Sequence, residues 1–321
     1  MKLGLLTVMF GKEPLEKVLE IIRPLNLDTV ELGTGNYPGD AHAPLQELLK
    51  SKPKRDALLD LLKREGKEIS ALSCHGNCLH PNKAFAKKCQ QVQTDTIKLA
   101  EKLGVKTVND FSGCPGSDPK AQQPNWVTCA WPPEYLDILD YQWNQIVIPY
   151  WKKQAKFAKD HGVRIAFEAH PGFVVYNTET LLRIRKECGN NLGANFDPSH
   201  FFWQGMEPIE AVKALGGSAI FHVHAKDTKV DPANAAVNGT LDTKHYGLEA
   251  QRSWLFRTCG YGHGHEWWKA FFSALRVAGY DGPVSIEHED SLMSSMEGLT
   301  KAVTFLNECL IREKPGAMHW A

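Results

Sequence analysis

Short β-rich apolar runs alternate with amphipathic stretches from one end of the chain to the other, and glycine or proline stands at most of the junctions. Residues 3–8 predict a first strand, followed by a helix with Pro14 in its first turn that ends near Pro24. Residues 29–32, 69–73 and 107–110 predict strands two to four. Between them, leucines at 45, 48, 49, 58, 59, 61 and 62 mark a helical stretch interrupted at Pro53 and stopped by Gly66, and another runs to Leu103 before Gly104. Strands five to eight are expected to end at Glu168, Asp197, His224 and Glu287, with helices over 179–188, 266–278 and about 296–312. Two connections are long, 111–133 after strand four and 225–264 after strand seven. Connections beyond about 12–15 residues are usually functional.

Strict alternation of strand and helix forces a parallel sheet covered by helices, either closed into a barrel or open and doubly wound. An open nucleotide-binding sheet normally carries a glycine-rich turn after its first strand, and residues 8–14 hold neither G-x-G-x-x-G nor a P-loop. The expected fold is therefore α/β, a (β/α)8 TIM barrel formed as a single domain over residues 1–321 with no linker.

Composition narrows the function. Lys plus Arg equals Asp plus Glu at 37 each, so no excess positive charge is available to hold a nucleic acid. No segment reaches the roughly 20 apolar residues of a membrane helix, and the N-terminus reads as a strand rather than a signal peptide. The eight cysteines include no C-x-x-C pair, which fits reduced thiols and a cytoplasmic protein. The Asn238-Gly239-Thr240 sequon then reads as an ordinary turn.

The candidate chemistry lies at the strand ends, the face where barrel enzymes place their sites. Glu168, Asp197, His224 and Glu287 form a mixed oxygen and nitrogen ligand set without thiolates, suited to one divalent ion: manganese first, with magnesium, cobalt or zinc compatible. Taken singly, each carboxylate could instead pair with an arginine or cap the next helix. Four on successive strands favour the joint reading. His222 and His224 point the same way on a strand, which assigns the ligand to His224 and a supporting place to His222. His200, three residues after Asp197, either leans over the same cavity or bonds to backbone, and His170 returns to the side of Glu168 as a substrate contact or base. Glu31, His75 and Asp110, at or just beyond strands two to four, either line the pocket or bond to barrel-top backbone. Trp126, Trp131 and Tyr135 in the fourth loop offer rings on which sugar C–H faces pack, or form plain packing.

The segments Phe-Glu-Ala-His, Asn-Phe-Asp-Pro-Ser-His, His-Val-His-Ala-Lys-Asp and Ser-Ile-Glu-His-Glu-Asp resemble the xylose-isomerase-like superfamily of sugar isomerases and epimerases, across the whole barrel. The resemblance implies that Glu168, Asp197, His224 and Glu287 hold the metal and that His200 contacts substrate. It also gives Glu168 and Glu287 a proton-transfer role. With it, His75, Asp110, Trp131 and Lys226 are counted as substrate-binding candidates and His170 as a catalytic one. One position departs from the ketose 3-epimerase pattern: a substrate-binding glutamate is expected six residues after the first ligand, where this chain has Val174.

The expected function is a metal-dependent sugar isomerase or epimerase working through an enediolate on a small sugar or glycoside. The alternative is a lyase that cleaves 3-keto glycosides, C-glycosides included, by β-elimination, with room for a small partner subunit or a second copy of the chain. An apurinic endonuclease is disfavoured because no Asp-x-His pair follows His224. A non-catalytic sugar-binding barrel would be expected to have lost a ligand.

Overall fold

The computed structural model describes residues 1–320. Its strands are β1 (Lys2–Leu6), β2 (Thr29–Gly33), β3 (Glu68–Ser73), β4 (Thr107–Asp110), β5 (Arg164–Glu168), β6 (Leu192–Phe196), β7 (Ile220–Ala225), β8 (Asp227–Val230), β9 (Trp254–Arg257) and β10 (Pro283–Ile286). Eight of them close a barrel in the order β1-β10-β7-β6-β5-β4-β3-β2, every pair parallel, so the chain forms a single-domain (β/α)8 TIM barrel. Closure falls between β1 and β10, where Leu3 faces Val284 and Leu5 faces Ile286.

Helices pack the outside because their apolar residues recur at helical spacing. In Lys83–Leu103 the buried set includes Cys89, Gln93, Thr96, Ile97, Ala100 and Leu103. Asn82 caps that helix by accepting from the Ala84 and Phe85 amides, and Gly104 ends it in the left-handed region at φ 73°. Helix His265–Val277 buries Trp268, Phe271, Phe272 and Leu275 on one stripe.

Two expectations change, and one helix carries an irregular segment. The first strand stops at Leu6, and Thr7–Phe10 turns into a 3-10 helix. The helical run after the fourth loop begins at Glu134 and contains a π-helical segment, Tyr141–Val147, before continuing as Ile148–Asp160. The connection 225–264 is not an open loop: β8 and β9 pair antiparallel within it, Asp227 opposite Arg257, and helix Pro232–Asn238 follows β8. Two four-residue strands separated by more than twenty residues carry too little periodicity to be seen in sequence, and they pair here because Trp254, Phe256 and Val230 pack on Trp203.

Candidate metal centre and active site

Two layers of polar side chains cross the C-terminal half of the barrel interior. The lower layer contains Glu31, Asn109, Asn195 and Ser285, one each from the second, fourth, sixth and eighth barrel strands, with His222 beside them, and all are fully buried. The strand registers shift at Val30/Glu31 and at Ala194/Asn195, two irregularities that fall at inward-pointing polar residues. Asn109 Nδ2 donates to Glu31 Oε1 at 2.8 Å, and Ser73 Oγ also donates to that oxygen. His222 bonds to Asn195 Oδ1 through Nδ1 at 2.9 Å and lies 3.2 Å from Ser70 Oγ through Nε2. Burial first, with the charges of neighbouring cations, brings His222 down to about 4, so its ring is neutral, although Glu31 pulls the other way.

The upper layer holds the predicted ligands. One atom each of Glu168, Asp197, His224 and Glu287 lie within 4.8 Å of one another, an arrangement able to hold a metal ion. Glu168 closes β5, Asp197 and Glu287 follow β6 and β10 directly, and His224 is next to last in β7. His224 Nδ1 sits between two carboxylates, 3.4 Å from Glu168 Oε2 and 3.1 Å from Glu287 Oε2, while Nε2 faces Glu31 Oε2 at 3.0 Å. The donor set fits a hard divalent ion: three carboxylates and one imidazole, with no thiolate. Asp197 Oδ2 is buried and faces only the cationic or imidazole nitrogens of Lys226 at 3.1 Å and His200 at 3.3 Å.

Burial would raise the Glu287 carboxyl, but Lys226 and His224 outweigh it and bring it down to about 2. Glu168, also buried, is held well below the usual carboxylate range by His200, His224 and His75. Both are therefore ionised at neutral pH. His224 is pushed well above its ordinary value: burial opposes this, and Glu31 and Glu287 prevail.

The other candidates divide. His200 Nε2 lies 2.9 Å from Glu168 Oε1 and 3.3 Å from Asp197 Oδ2. His75 Nε2 is 3.2 Å from Glu168 Oε2, and its ring meets Phe111 edge-on. His170 packs against His200 with centroids 4.1 Å apart. Its Nδ1 donates to the Pro171 carbonyl at 2.6 Å, which leaves Nε2 as the acceptor of a neutral ring. Burial, with His200 next, lowers it to about 3. Lys226 is 2% exposed and its Nζ meets Glu287 Oε2 at 2.8 Å, Glu289 Oε2 at 3.0 Å and Asp197 Oδ2 at 3.1 Å.

A cavity of about 180 Å³ opens over this layer, with Glu168, Glu287, Glu289 and Lys226 on its wall together with His75 and His170. Tyr37 and Phe111 supply its aromatic side, and Phe173 stacks on Phe111 at 4.2 Å. Asp110 is not on that wall: it accepts from the Gly76 and Phe111 amides and braces the barrel top, and burial raises its carboxyl to about 7. Trp131 stands outside as well, 74% exposed. The aromatic surface thus comes from Phe111, at the first position of the loop, rather than from its middle. Val174 is packed in the core, its amide donating to Gly113. A larger cleft of about 640 Å³ lies at the N-terminal ends of β3 to β5, beside Lys106 and Arg164, at the opposite end from the cluster.

Sequence reasoning passed over Lys226 as the hub of three carboxylates, and Glu289 altogether. The available signal was alternation: Glu289 stands two residues beyond Glu287.

A parallel barrel with a carboxylate and histidine cluster at its C-terminal mouth defines a TIM-barrel protein with a site able to hold a metal ion. The family model described as "Xylose isomerase-like TIM barrel" matches residues 19–309, and the chain belongs to that family. It is 42% identical over 313 residues to the protein YfiH of Bacillus subtilis, covering 97% of this chain and 99% of that one. Among solved structures it superposes on the IolI protein with a bound zinc atom at TM-score 0.66 and 20% identity, over 97% and 98% of the two chains. It superposes on D-psicose 3-epimerase with D-tagatose from Clostridium cellulolyticum H10 at TM-score 0.60 and 15% identity, over 96% and 98%.

Proposed function

We propose that this protein is a divalent-metal-dependent sugar isomerase or epimerase that abstracts a proton beside a carbonyl. The reading rests on one observation: Glu168 and Glu287 both line the cavity and flank His224 Nδ1 inside a four-residue ligand set. The epimerase among the structural relatives adds support, as does the family.

Glu168, Asp197, His224 and Glu287 would hold the ion, with manganese the expected metal. When bound, a divalent cation supplies Lewis acidity that makes the C–H between a carbonyl and its neighbouring hydroxyl acidic. Glu168, ionised and held in place by His200 at 2.9 Å, takes that proton. Glu287, ionised on the other side of His224, first takes a proton from the adjacent substrate hydroxyl and then delivers it to the opposite face of the carbon, while Glu168 passes its proton to that oxygen, giving an epimer. Return of the proton at the adjacent carbon gives the aldose–ketose isomer instead. His170, neutral with a free Nε2, accepts a hydrogen bond from a substrate hydroxyl, and His200, His75 and Lys226 position oxygens around it.

A second reading keeps the proton abstraction and ends in β-elimination of an alcohol or aglycone. Two observations favour it: Val174 is buried where the epimerase pattern has a glutamate, and Lys226 presents a buried ammonium to a departing oxygen.

The test is deuterium uptake followed by NMR, with manganese-loaded protein in D₂O and a panel of ketoses, ketose phosphates and 3-keto glucosides. Deuterium in a recovered sugar or its epimer supports the isomerase reading, and release of aglycone moves the assignment to the lyase. Fully metallated protein that exchanges no proton in any compound would sink both.

A further inference from the structure

We propose that Glu289 is the residue that grips the substrate's hydroxyls and that, with Lys226, it restricts the pocket to uncharged, unphosphorylated polyols of a single ring. The inference rests on the sugar isomerase reading above and adds a residue and a charge class to it.

Glu289 lines the cavity but belongs to none of the metal-capable groups among the described residues. Its side chain is 49% exposed, so half of it faces the mouth, while Oε2 is tied to Lys226 Nζ at 3.0 Å. A carboxylate fixed by one oxygen keeps the other free to accept hydrogen bonds from neighbouring hydroxyls, the arrangement that recognises a vicinal diol. Tyr37 and Phe111 on the same cavity offer ring faces to the C–H side of such a ligand. The position six residues after Glu168 cannot do this work, because Val174 is in the core.

The charge balance decides what is refused. The cavity wall carries Glu168, Glu287 and Glu289 and no arginine; Lys226 already faces three carboxylates, and His75 Nε2 already faces Glu168 at 3.2 Å. A divalent ion, Lys226 and His75 together supply at most four positive charges against the five carboxylates Glu31, Glu168, Asp197, Glu287 and Glu289, and of these Glu289 is the one at the mouth. A phosphate there would meet repulsion without a partner, and like-charge contact in a partly desolvated site is a strong means of exclusion. Size points the same way. At about 180 Å³ the cavity is smaller than the roughly 300–1,000 Å³ of sites for drug-sized ligands, so it encloses one six-carbon ring.

The experiment measures binding, independent of turnover. D-fructose, myo-inositol and a monophosphate of each are titrated by saturation-transfer NMR into metal-loaded wild type, Glu289→Gln and Glu289→Asp, with metal content and circular dichroism as controls. The wild type should prefer each neutral compound to its phosphate. Glu289→Gln should weaken neutral binding roughly 10- to 100-fold, the loss expected for a charge-assisted hydrogen bond, and narrow the neutral-to-phosphate ratio. Glu289→Asp should restore part of that ratio, which a purely structural role would not require. Wild-type preference for the phosphates, or a ratio unchanged in Glu289→Gln, overturns the assignment of Glu289 and leaves the enolisation reading standing. Binding of none of the four to fully metallated wild type overturns the sugar reading and this inference with it.

Discussion

Glu31 and His224, 193 residues apart in sequence, meet inside the barrel with Glu31 Oε2 3.0 Å from His224 Nε2. The contact orients the imidazole so that Nδ1 faces Glu168 and Glu287. Carboxylates behind a ligating histidine fix its tautomer and raise its basicity. Ser73 and Asn109 hold Glu31 in turn, so the orientation is set from three strands at once.

Glu31→Gln should therefore lower metal affinity about 10- to 100-fold while the barrel still forms. Competition titration with a chromophoric chelator measures the affinity, and far-UV circular dichroism reports the fold. Wild-type affinity in a folded variant would count against the role given to Glu31.

Metal binding should release a proton. In the metal-free protein His224 is an imidazolium held well above its ordinary value, because Glu31 and Glu287 outweigh burial. An ion at Nδ1 must displace that proton, so affinity should fall by about tenfold per pH unit below the raised value and level off above it. Calorimetry in two buffers of different ionisation enthalpy counts the protons, with about one per ion expected near neutrality.

His170 should make the metal-free protein sensitive to acid. Its folded value is lowered to about 3 by burial and by His200, whereas in the unfolded chain it titrates near 6.5. Between those limits the unfolded state binds the extra proton, so this group's contribution to stability is full above about 6.5 and is lost as pH falls towards 3. Thermal melts of His170→Gln should show a difference from wild type that shifts in the variant's favour as pH drops through that window. A pH-independent difference would contradict the assignment.

Trp151→Ala should destabilise the fold by about 3–5 kcal/mol, the cost of removing a large buried ring. The indole is fully buried, meets Phe167 edge-on at 4.5 Å and donates from Nε1 to the Ser112 carbonyl at 2.9 Å. Ser112 Oγ accepts from the Val175 amide, so the same residue ties the loops after β4 and β5 together. Urea unfolding of metal-free protein gives the value.

Sequence alone determined the barrel and the four ligand candidates, because both are written in local periodicity. Alternating strand and helix patterns force a parallel sheet, and a polar residue ending an apolar run marks the barrel mouth whichever strands become neighbours. Phe-Glu, Phe-Asp, His-Val-His and Ile-Glu were legible on those grounds. What depended on neighbours was decided by closure and register. Glu31 behind His224, Lys226 among Asp197, Glu287 and Glu289, and Phe111 rather than Trp131 beside the cavity each join distant segments. The short β8–β9 pairing within 225–264 was hidden for the same reason. Periodicity tells which face a side chain takes, and only the folded backbone sets what it meets there.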